Sequence, residues 1–166
     1  MAKKKISKAI LNQRLKRLYR ESGLKQVEFA AQLGISKPAL CRYLSGASPN
    51  LLLLCQIAAQ HRVSPDWLLG RSLSRKTELM AGKEFHQAVL SKRFKMIYRE
   101  SGLNQVKFAA KVRLTQASVS RYLLGSRPNL TAFIKIARTM EVSTDWLLGF
   151  SERSVDPEAE TSPLLT

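Results

Sequence analysis

The sequence lacks the residue patterns of a membrane protein, a metalloprotein or an enzyme. No apolar run approaches the roughly 18 to 20 residues that span a bilayer, so we expect no membrane segment. The basic start, with Lys3, Lys4 and Lys5, is not followed by the apolar stretch of a signal peptide, which favours a cytoplasmic protein. His61 and His86 have no partner at ligand or catalytic spacing, so no metal or other cofactor is predicted.

Catalytic signatures are also missing. The chain has no paired carboxylates at a fixed spacing, no nucleophile with a matching base and no phosphate-binding loop. We therefore do not expect an enzyme.

Acidic residues are scarce, and their distribution is uneven. The 166 residues include 28 Lys and Arg against 12 Asp and Glu, a formal net charge of +16. Residues 1–70 hold 12 basic and 3 acidic residues and residues 83–150 hold 12 and 4, whereas the end of the chain from 151 is acidic. This excess suits a polyanionic partner, because many phosphate contacts release many counterions. A soluble basic protein without such a partner is the alternative.

The chain contains one small module twice. Residues 11–70 match residues 90–149 without a gap, 79 positions apart, and about half of the paired residues are identical. A period this long indicates a duplicated domain rather than a solenoid. We predict a domain at 1–70, a linker at 71–82, a second domain at 83–150 and an acidic disordered tail at 151–166.

Neither cysteine is repeated. Cys41 and Cys55 correspond to Ser120 and Ile134 in the second repeat. The duplicated fold therefore depends on no disulfide or metal, and we expect two reduced thiols.

Each repeat reads as five short helices. Apolar residues recur at helical spacing, and no stretch alternates with the period of a strand, so the fold class is all-α. Ser36 and Thr115 are placed to cap a third helix in each repeat. The inner side of the second helix is assigned to apolar residues: Val27, Phe29, Ala30 and Leu33, and Val106, Phe108, Ala109 and Val112.

Two short helices joined by a tight turn, the second opened by a Ser or Thr, have the geometry that presents a helix to the DNA major groove. Gln26-Val27-Glu28-Phe29-Ala30-Ala31, then Gly34-Ile35-Ser36-Lys37-Pro38-Ala39-Leu40-Cys41-Arg42-Tyr43 and Asp66-Trp67-Leu68-Leu69-Gly70, resemble the Cro/cI-type (XRE-like) helix-turn-helix domain. The second repeat resembles it through Gln105-Val106-Lys107-Phe108-Ala109-Ala110, Gln116-Ala117-Ser118-Val119-Ser120-Arg121 and Asp145-Trp146-Leu147-Leu148-Gly149. The resemblance implies two tandem five-helix, lambda-repressor-like domains that bind double-stranded DNA.

The resemblance also implies which residues contact DNA. Residues of the third helix would read bases, and these are Lys37, Pro38, Cys41 and Arg42 in one groove and Gln116, Ala117, Ser120 and Arg121 in the other. Residues near the helix starts would contact the DNA backbone: Gln26, Gln105, Ser36 and Thr115. Independently of the resemblance, Lys3, Lys4 and Lys5 form a basic arm that could follow DNA phosphates, and an unbound tail is the alternative. Arg can bridge guanine O6 and N7, and Gln can pair with adenine, so the residue types fit these roles.

Three positions depart from the family pattern. Lys25 stands where a capping residue is expected, whereas Asn104 in the second repeat is a good cap. Arg113 replaces Gly34 in the turn, at a cost on the order of 1 kcal/mol if that position needs a positive φ. Pro38 falls in the first helical turn, where a missing N–H is tolerated.

The repeats differ along the third helix, where Lys37, Pro38, Ala39 and Cys41 face Gln116, Ala117, Ser118 and Ser120, which predicts unlike half-sites read by one chain. We expect a transcriptional regulator, most simply a repressor that occludes a promoter. The alternatives are a chain in which one head is a degenerate structural partner, a non-specific architectural binder and an antitoxin-like protein-interaction module. A homodimer or another protein partner stays open.

Overall fold

The protein forms two compact helical units, the first ending at Glu84 and the second beginning at Phe85. The computed structural model describes residues 8–76, 85–152, 154 and 155. The helices of the first unit are α1 (Lys8–Ser22), α2 (Gln26–Gln32), α3 (Lys37–Leu44), α4 (Leu51–His61) and α5 (Pro65–Leu68). Those of the second are α6 (Gln87–Glu100), α7 (Gln105–Val112), α8 (Gln116–Leu123), α9 (Leu130–Thr139) and α10 (Thr144–Leu148). The predicted all-α fold with two five-helix domains is confirmed.

An aromatic side chain of the second helix lies at the centre of each core. Phe29 is fully buried in the first unit, with its ring centroid 5.3 Å from that of Tyr19. Phe108 is fully buried in the second unit, 5.3 Å from Tyr98 and 5.9 Å from Phe94. Each ring therefore fixes its helix against the first helix of the domain, because edge-to-face pairs add to the stabilisation from burial.

Valines 27 and 106 correct the assignment of the second helix. The helical pattern predicts both on the inner side, but their side chains are 60% and 58% exposed. Phe29 and Ala30, with Phe108 and Ala109, hold the buried face as predicted. Each valine is the second residue of its short helix. Because successive residues are rotated by 100° around the helix axis, this position lies away from the side that faces the core.

The N-termini of α2 and α7 are capped in two different ways. Lys25 offers no side-chain acceptor, but the Glu28 carboxylate accepts a hydrogen bond from the Lys25 backbone N–H at 2.8 Å. In the second unit, the Asn104 side chain accepts from the Lys107 N–H at 2.9 Å. Each helix thus has one half of a capping box, which holds its first turn in place.

Chain beyond the last helix packs back onto each unit. The Ser64 N–H donates to the Arg75 carbonyl and the Ser143 N–H to the Ser154 carbonyl, both at 2.9 Å. Arg71 lies buried 3.2 Å from the Asp66 carboxylate. The segment predicted as a linker therefore begins with residues that contact the first unit.

Arginines of the first helices cover the two tryptophans. Arg14 stands 4.7 Å from the Trp67 ring centroid and Arg93 stands 5.0 Å from that of Trp146. Both tryptophans are buried. They strengthen the domain end through cation–π contacts rather than offering a surface on which bases could stack.

The described residues also bear on disulfides, membrane-spanning helices and metal sites. Neither Cys41 nor Cys55 forms a disulfide with a described residue. Within the described ranges, no helix combines the length and apolarity that crossing a bilayer requires. Over the same ranges, no cluster of three His, Cys, Asp or Glu residues could hold a metal ion. Lys3, Lys4 and Lys5 lie outside the described residues, as does most of the predicted tail.

Arg113 adopts the left-handed conformation that Gly34 adopts in the first unit. Its φ is +56°, against +64° for the glycine. A non-glycine residue there costs about 1 to 2 kcal/mol, partly offset because glycine has more freedom in the unfolded chain.

We predict that Arg113→Gly stabilises the second domain by about 0.5 to 1 kcal/mol, since it relieves this strain. The measurement is urea unfolding of the full chain in a Trp67→Phe background, where Trp146 fluorescence reports the second domain. The matched control is Gly34→Arg with Trp146→Phe, which should destabilise the first domain. An Arg113→Gly variant that is less stable than its parent would show that the arginine side chain makes contacts worth more than the strain.

His61 is a half-buried titratable side chain of the first core. Its ring lies 5.2 Å from that of Phe29, and its Nε2 is buried with no hydrogen-bond partner among the described residues. Burial, followed by the positive charge of Arg75, lowers the pKa of His61 below 6.5, while Glu21 opposes the shift. The second unit has Met140 at the equivalent position.

We predict that the first domain loses stability as the pH falls below about 6.5, because the unfolded chain takes up a proton at His61 that the folded domain resists. The stability is retained above the unfolded pKa and declines as the pH falls towards the lower folded pKa. Unfolding at pH 7.5 and pH 5.5, followed by Trp67 fluorescence, measures the loss.

The control is His61→Met, the residue of the second repeat, which should remove most of this pH dependence. Glu21 does not interfere, because hydrogen bonds from Arg75 and then Arg17 hold its pKa at about 2, below the range tested. Equal losses in the two proteins would exclude His61 as the source.

Candidate nucleic-acid interface

In the first unit, α2 and α3 form a helix-turn-helix whose outer side carries the predicted base-reading residues. Lys37, Pro38 and Arg42 are exposed on α3, and Cys41 is half-buried beside them. Leu40 on the opposite side is fully buried and fixes the rotation of the helix. The structure therefore brings all four predicted residues to one face, at the start and along the side of α3.

The N-terminus of α3 is capped by Ser36 and has a proline in its first turn. The Ser36 hydroxyl accepts a hydrogen bond from the Ala39 N–H at 3.3 Å. Pro38 lies in the first turn, and α3 continues unbroken to Leu44, as the sequence predicts. Ser36 is thus placed by its capping role at the end of the helix where a phosphate is favoured by the helix dipole.

A contact between two predicted DNA-contacting residues links the two helices. The Cys41 thiol lies 3.5 Å from the Gln26 side-chain oxygen. As the thiol is the donor, the Gln26 carbonyl is occupied and its NH₂ group stays available as a donor. Phosphate oxygens and purine N7 atoms are acceptors, so this orientation suits both.

The second unit repeats this geometry with different side chains. Gln116, Ala117 and Arg121 are exposed on α8, and Ser120 is half-buried. Val119 takes the buried position of Leu40. The face of α8 therefore carries an amide, a methyl and a hydroxyl where α3 carries an ammonium, a pyrrolidine and a thiol.

Hydroxyl groups order the reading face of α8. The Thr115 hydroxyl accepts from the Ser118 N–H at 3.1 Å and donates to the Ser118 hydroxyl at 2.9 Å. One guanidinium nitrogen of Arg121 lies 3.5 Å from the same Ser118 oxygen. Arg121 is thereby held along the helix, one turn beyond Ser118, with its remaining donors free for bases.

The far end of each third helix is anchored by a side-chain amide. Asn12 on α1 donates to the carbonyl oxygens of Tyr43 and Leu44, at 2.7 and 2.8 Å. In the second unit, Ser91 stands at the Asn12 position and is too short, and Gln87 donates instead to the Gly125 carbonyl at 3.0 Å. Ser91 also lines a cavity of about 10 Å³, which is too small for a ligand.

These anchors were not found from the sequence. Asn12 has no counterpart in the second repeat, so the internal comparison offered no signal for it. The exposed Val27 and Val106 were also missed as surface residues, although both copies keep valine directly after the predicted contact residues Gln26 and Gln105, which are half-buried.

The electrostatic character of both faces is positive. Around the reading faces, Lys25, Lys37 and Arg42 of the first unit and Lys107 and Arg121 of the second are exposed. A thiol, amides and hydroxyls between such cations can hydrogen-bond to base edges and phosphates.

Comparison with known proteins identifies the family. A family model described as helix-turn-helix matches residues 15–68 and again residues 94–147. The two matches cover more than half of the chain and coincide with the two described units. Searches of curated proteins and of solved structures gave no match.

The double hydrogen bond from Asn12 generates a prediction. Asn12→Ser, the residue of the second repeat, should destabilise the first domain by about 1 to 2 kcal/mol, since two hydrogen bonds to partly buried carbonyls are lost. Urea unfolding in a Trp146→Phe background measures it. Asn12→Asp keeps the shape but faces those carbonyls with a carboxylate, so it should be worse than serine; equal stability of Asp and Asn would contradict the anchor.

Proposed function

Since the chain belongs to the Cro/cI-type helix-turn-helix family and is a DNA-binding protein, we propose that it is a sequence-specific transcriptional regulator whose two heads read unlike half-sites. Its target is double-stranded DNA, and its simplest mode of action is repression through occlusion of a promoter. Base-reading roles are assigned to Lys37, Pro38, Cys41 and Arg42, and to Gln116, Ala117, Ser120 and Arg121.

One observation carries the proposal. The two scaffolds have the same helices in the same order, yet their reading faces differ at nearly every exposed position except the shared arginines, Arg42 and Arg121. Arg pairs with guanine, whereas Gln116 suits adenine and the Ala117 methyl suits a thymine methyl. Each good bidentate contact contributes roughly 1 to 3 kcal/mol of discrimination, so different faces favour different base sequences.

At each head, some residues position the domain on the DNA backbone and others contact the bases. The capped start of the third helix and the Gln26 or Gln105 side chain contact phosphates and set the register of the domain. The side chains one and two turns along then meet base edges in the groove. Two heads on one chain raise the effective concentration of the second head once the first has bound.

Selection from randomised duplexes of about 30 base pairs tests the proposal, since that length holds two half-sites one or two helical turns apart. Two different short motifs at a fixed spacing are expected. Enrichment of no motif, with salt-sensitive binding, would replace the proposal by an architectural binder. Enrichment of a single motif would mean that one head is degenerate. Absence of DNA binding would favour a protein-interaction module.

The arginine shared by both heads provides the mutational prediction. Arg121→Ala should relax base preference in one half-site only, with a loss of about 1 to 3 kcal/mol on the preferred duplex. Selection with the variant and titration of the preferred duplex measure it. Arg42→Ala is the matched control and should relax the other half-site. A uniform loss on all sequences would instead make Arg121 a phosphate contact.

A further inference from the structure

The second unit carries a group of exposed basic side chains that the first unit lacks. They lie on α7, in the turn that follows it and on α9, and each is exposed. We call these residues the α7 basic patch: Lys107, Lys111, Arg113 and Lys135. The residues at the equivalent positions of the first unit, in the same order, are Glu28, Gln32, Gly34 and Gln56.

The α7 basic patch is continuous. Lys107 and Lys111 are one turn apart on α7, so their side chains share a face of the helix. Arg113 is the left-handed residue that ends α7. The Lys135 ammonium reaches from α9 and donates to the Arg113 carbonyl at 3.4 Å.

No carboxylate of the described residues forms an ion pair with any of the four side chains. Four exposed cations therefore lie on neighbouring elements without an acidic partner among the described residues. Arg113 adds backbone strain at φ +56°. A patch that is unfavourable for the isolated domain is expected where an anionic partner compensates for it.

Double-stranded DNA is the partner that the position of the patch favours. α7 is the first helix of the helix-turn-helix, and in this motif that helix crosses the DNA backbone. The patch runs from Lys107, near the reading face, along the exposed side of α7 to the turn that leads into α8. Long, unpaired Lys and Arg side chains in this place suit phosphate oxygens next to the half-site.

We propose that the α7 basic patch binds DNA phosphates and makes the second domain the main anchor of the chain on DNA. The first domain has a net negative charge at the equivalent positions and contributes mainly by reading sequence. The proposal rests on the proposed function, in that it takes DNA as the ligand, but it does not require that binding be sequence-specific.

The experiment exchanges the patch for the residues of the first repeat in the full chain: Lys107→Glu, Lys111→Gln, Arg113→Gly and Lys135→Gln together. The salt dependence of binding is then measured on the selected duplex and on a random duplex of equal length. Because the logarithm of the binding constant changes with the logarithm of salt by about 0.9 per phosphate contact, the slope should become less steep by up to about 3 to 4. The preferred sequence should not change.

Two control variants separate the patch from net charge. Lys92→Gln with Lys95→Gln removes two exposed cations from α6. An equal change of slope per charge removed in this control would overturn the proposal, because the effect would then belong to net charge alone. Gln32→Lys with Gln56→Lys transfers part of the patch to the first unit and should make the slope steeper.

Thermal unfolding followed by Trp146 fluorescence checks that the second domain of the fourfold variant is folded. If that domain is unfolded, the double variant Lys111→Gln with Lys135→Gln is used for the salt titration instead. An unchanged slope on both duplexes would overturn the proposal and would leave an acidic protein surface as the partner of the patch. A slope that falls on both duplexes, with no preferred sequence ever selected, would support the patch while refuting sequence-specific regulation.

Discussion

The burial of one phenylalanine on the second helix is the constraint on which each domain depends. Phe29 and Phe108 are inaccessible to solvent and pack edge-to-face against a tyrosine of the preceding helix. Fully burying such a side chain contributes about 1.5 to 3 kcal/mol, a large share of the stability of so small a domain. The same packing sets the orientation of the second helix, and the third helix is joined to it by a turn too short to allow an independent orientation.

Duplication allowed the two copies to keep this constraint and to vary what lies outside it. The buried residues of α2 and α3 stay apolar in α7 and α8, and the largest change is from Leu40 to Val119, whereas the exposed residues of α3 and α8 change in charge and in hydrogen-bonding groups. Packing penalises changes in the core by several kcal/mol but leaves a solvated helix face nearly free. A surface that contacts DNA is therefore where two copies in one chain can acquire different specificities.

The sequence predicted the helices and the caps at Ser36 and Thr115, because each depends on neighbours within one turn. It left open whether the turn at Arg113 keeps the positive φ of Gly34, and the structure shows that it does. It assigned Val27 to the wrong side, since the helical pattern of a seven-residue element does not define its rotation. The Asn12 anchor joins residues more than 30 positions apart, and no local pattern encodes such a contact. The DNA contacts themselves stay predictions, since they involve a second molecule.

The two halves of the chain illustrate how stability and binding compete at one position. A glycine in the turn after α7 would relieve the domain of strain of about 1 kcal/mol, yet the second copy has Arg113 there. An exposed arginine beside a phosphate contributes through counterion release only when DNA is bound. It therefore raises the affinity for DNA, whereas its backbone strain lowers the stability of the unbound domain. The first copy has the opposite combination, a relaxed glycine and no cation. On the proposal made above, the second domain accepts lower stability in exchange for a firmer hold on the DNA backbone, and the first keeps its stability and discriminates between sequences.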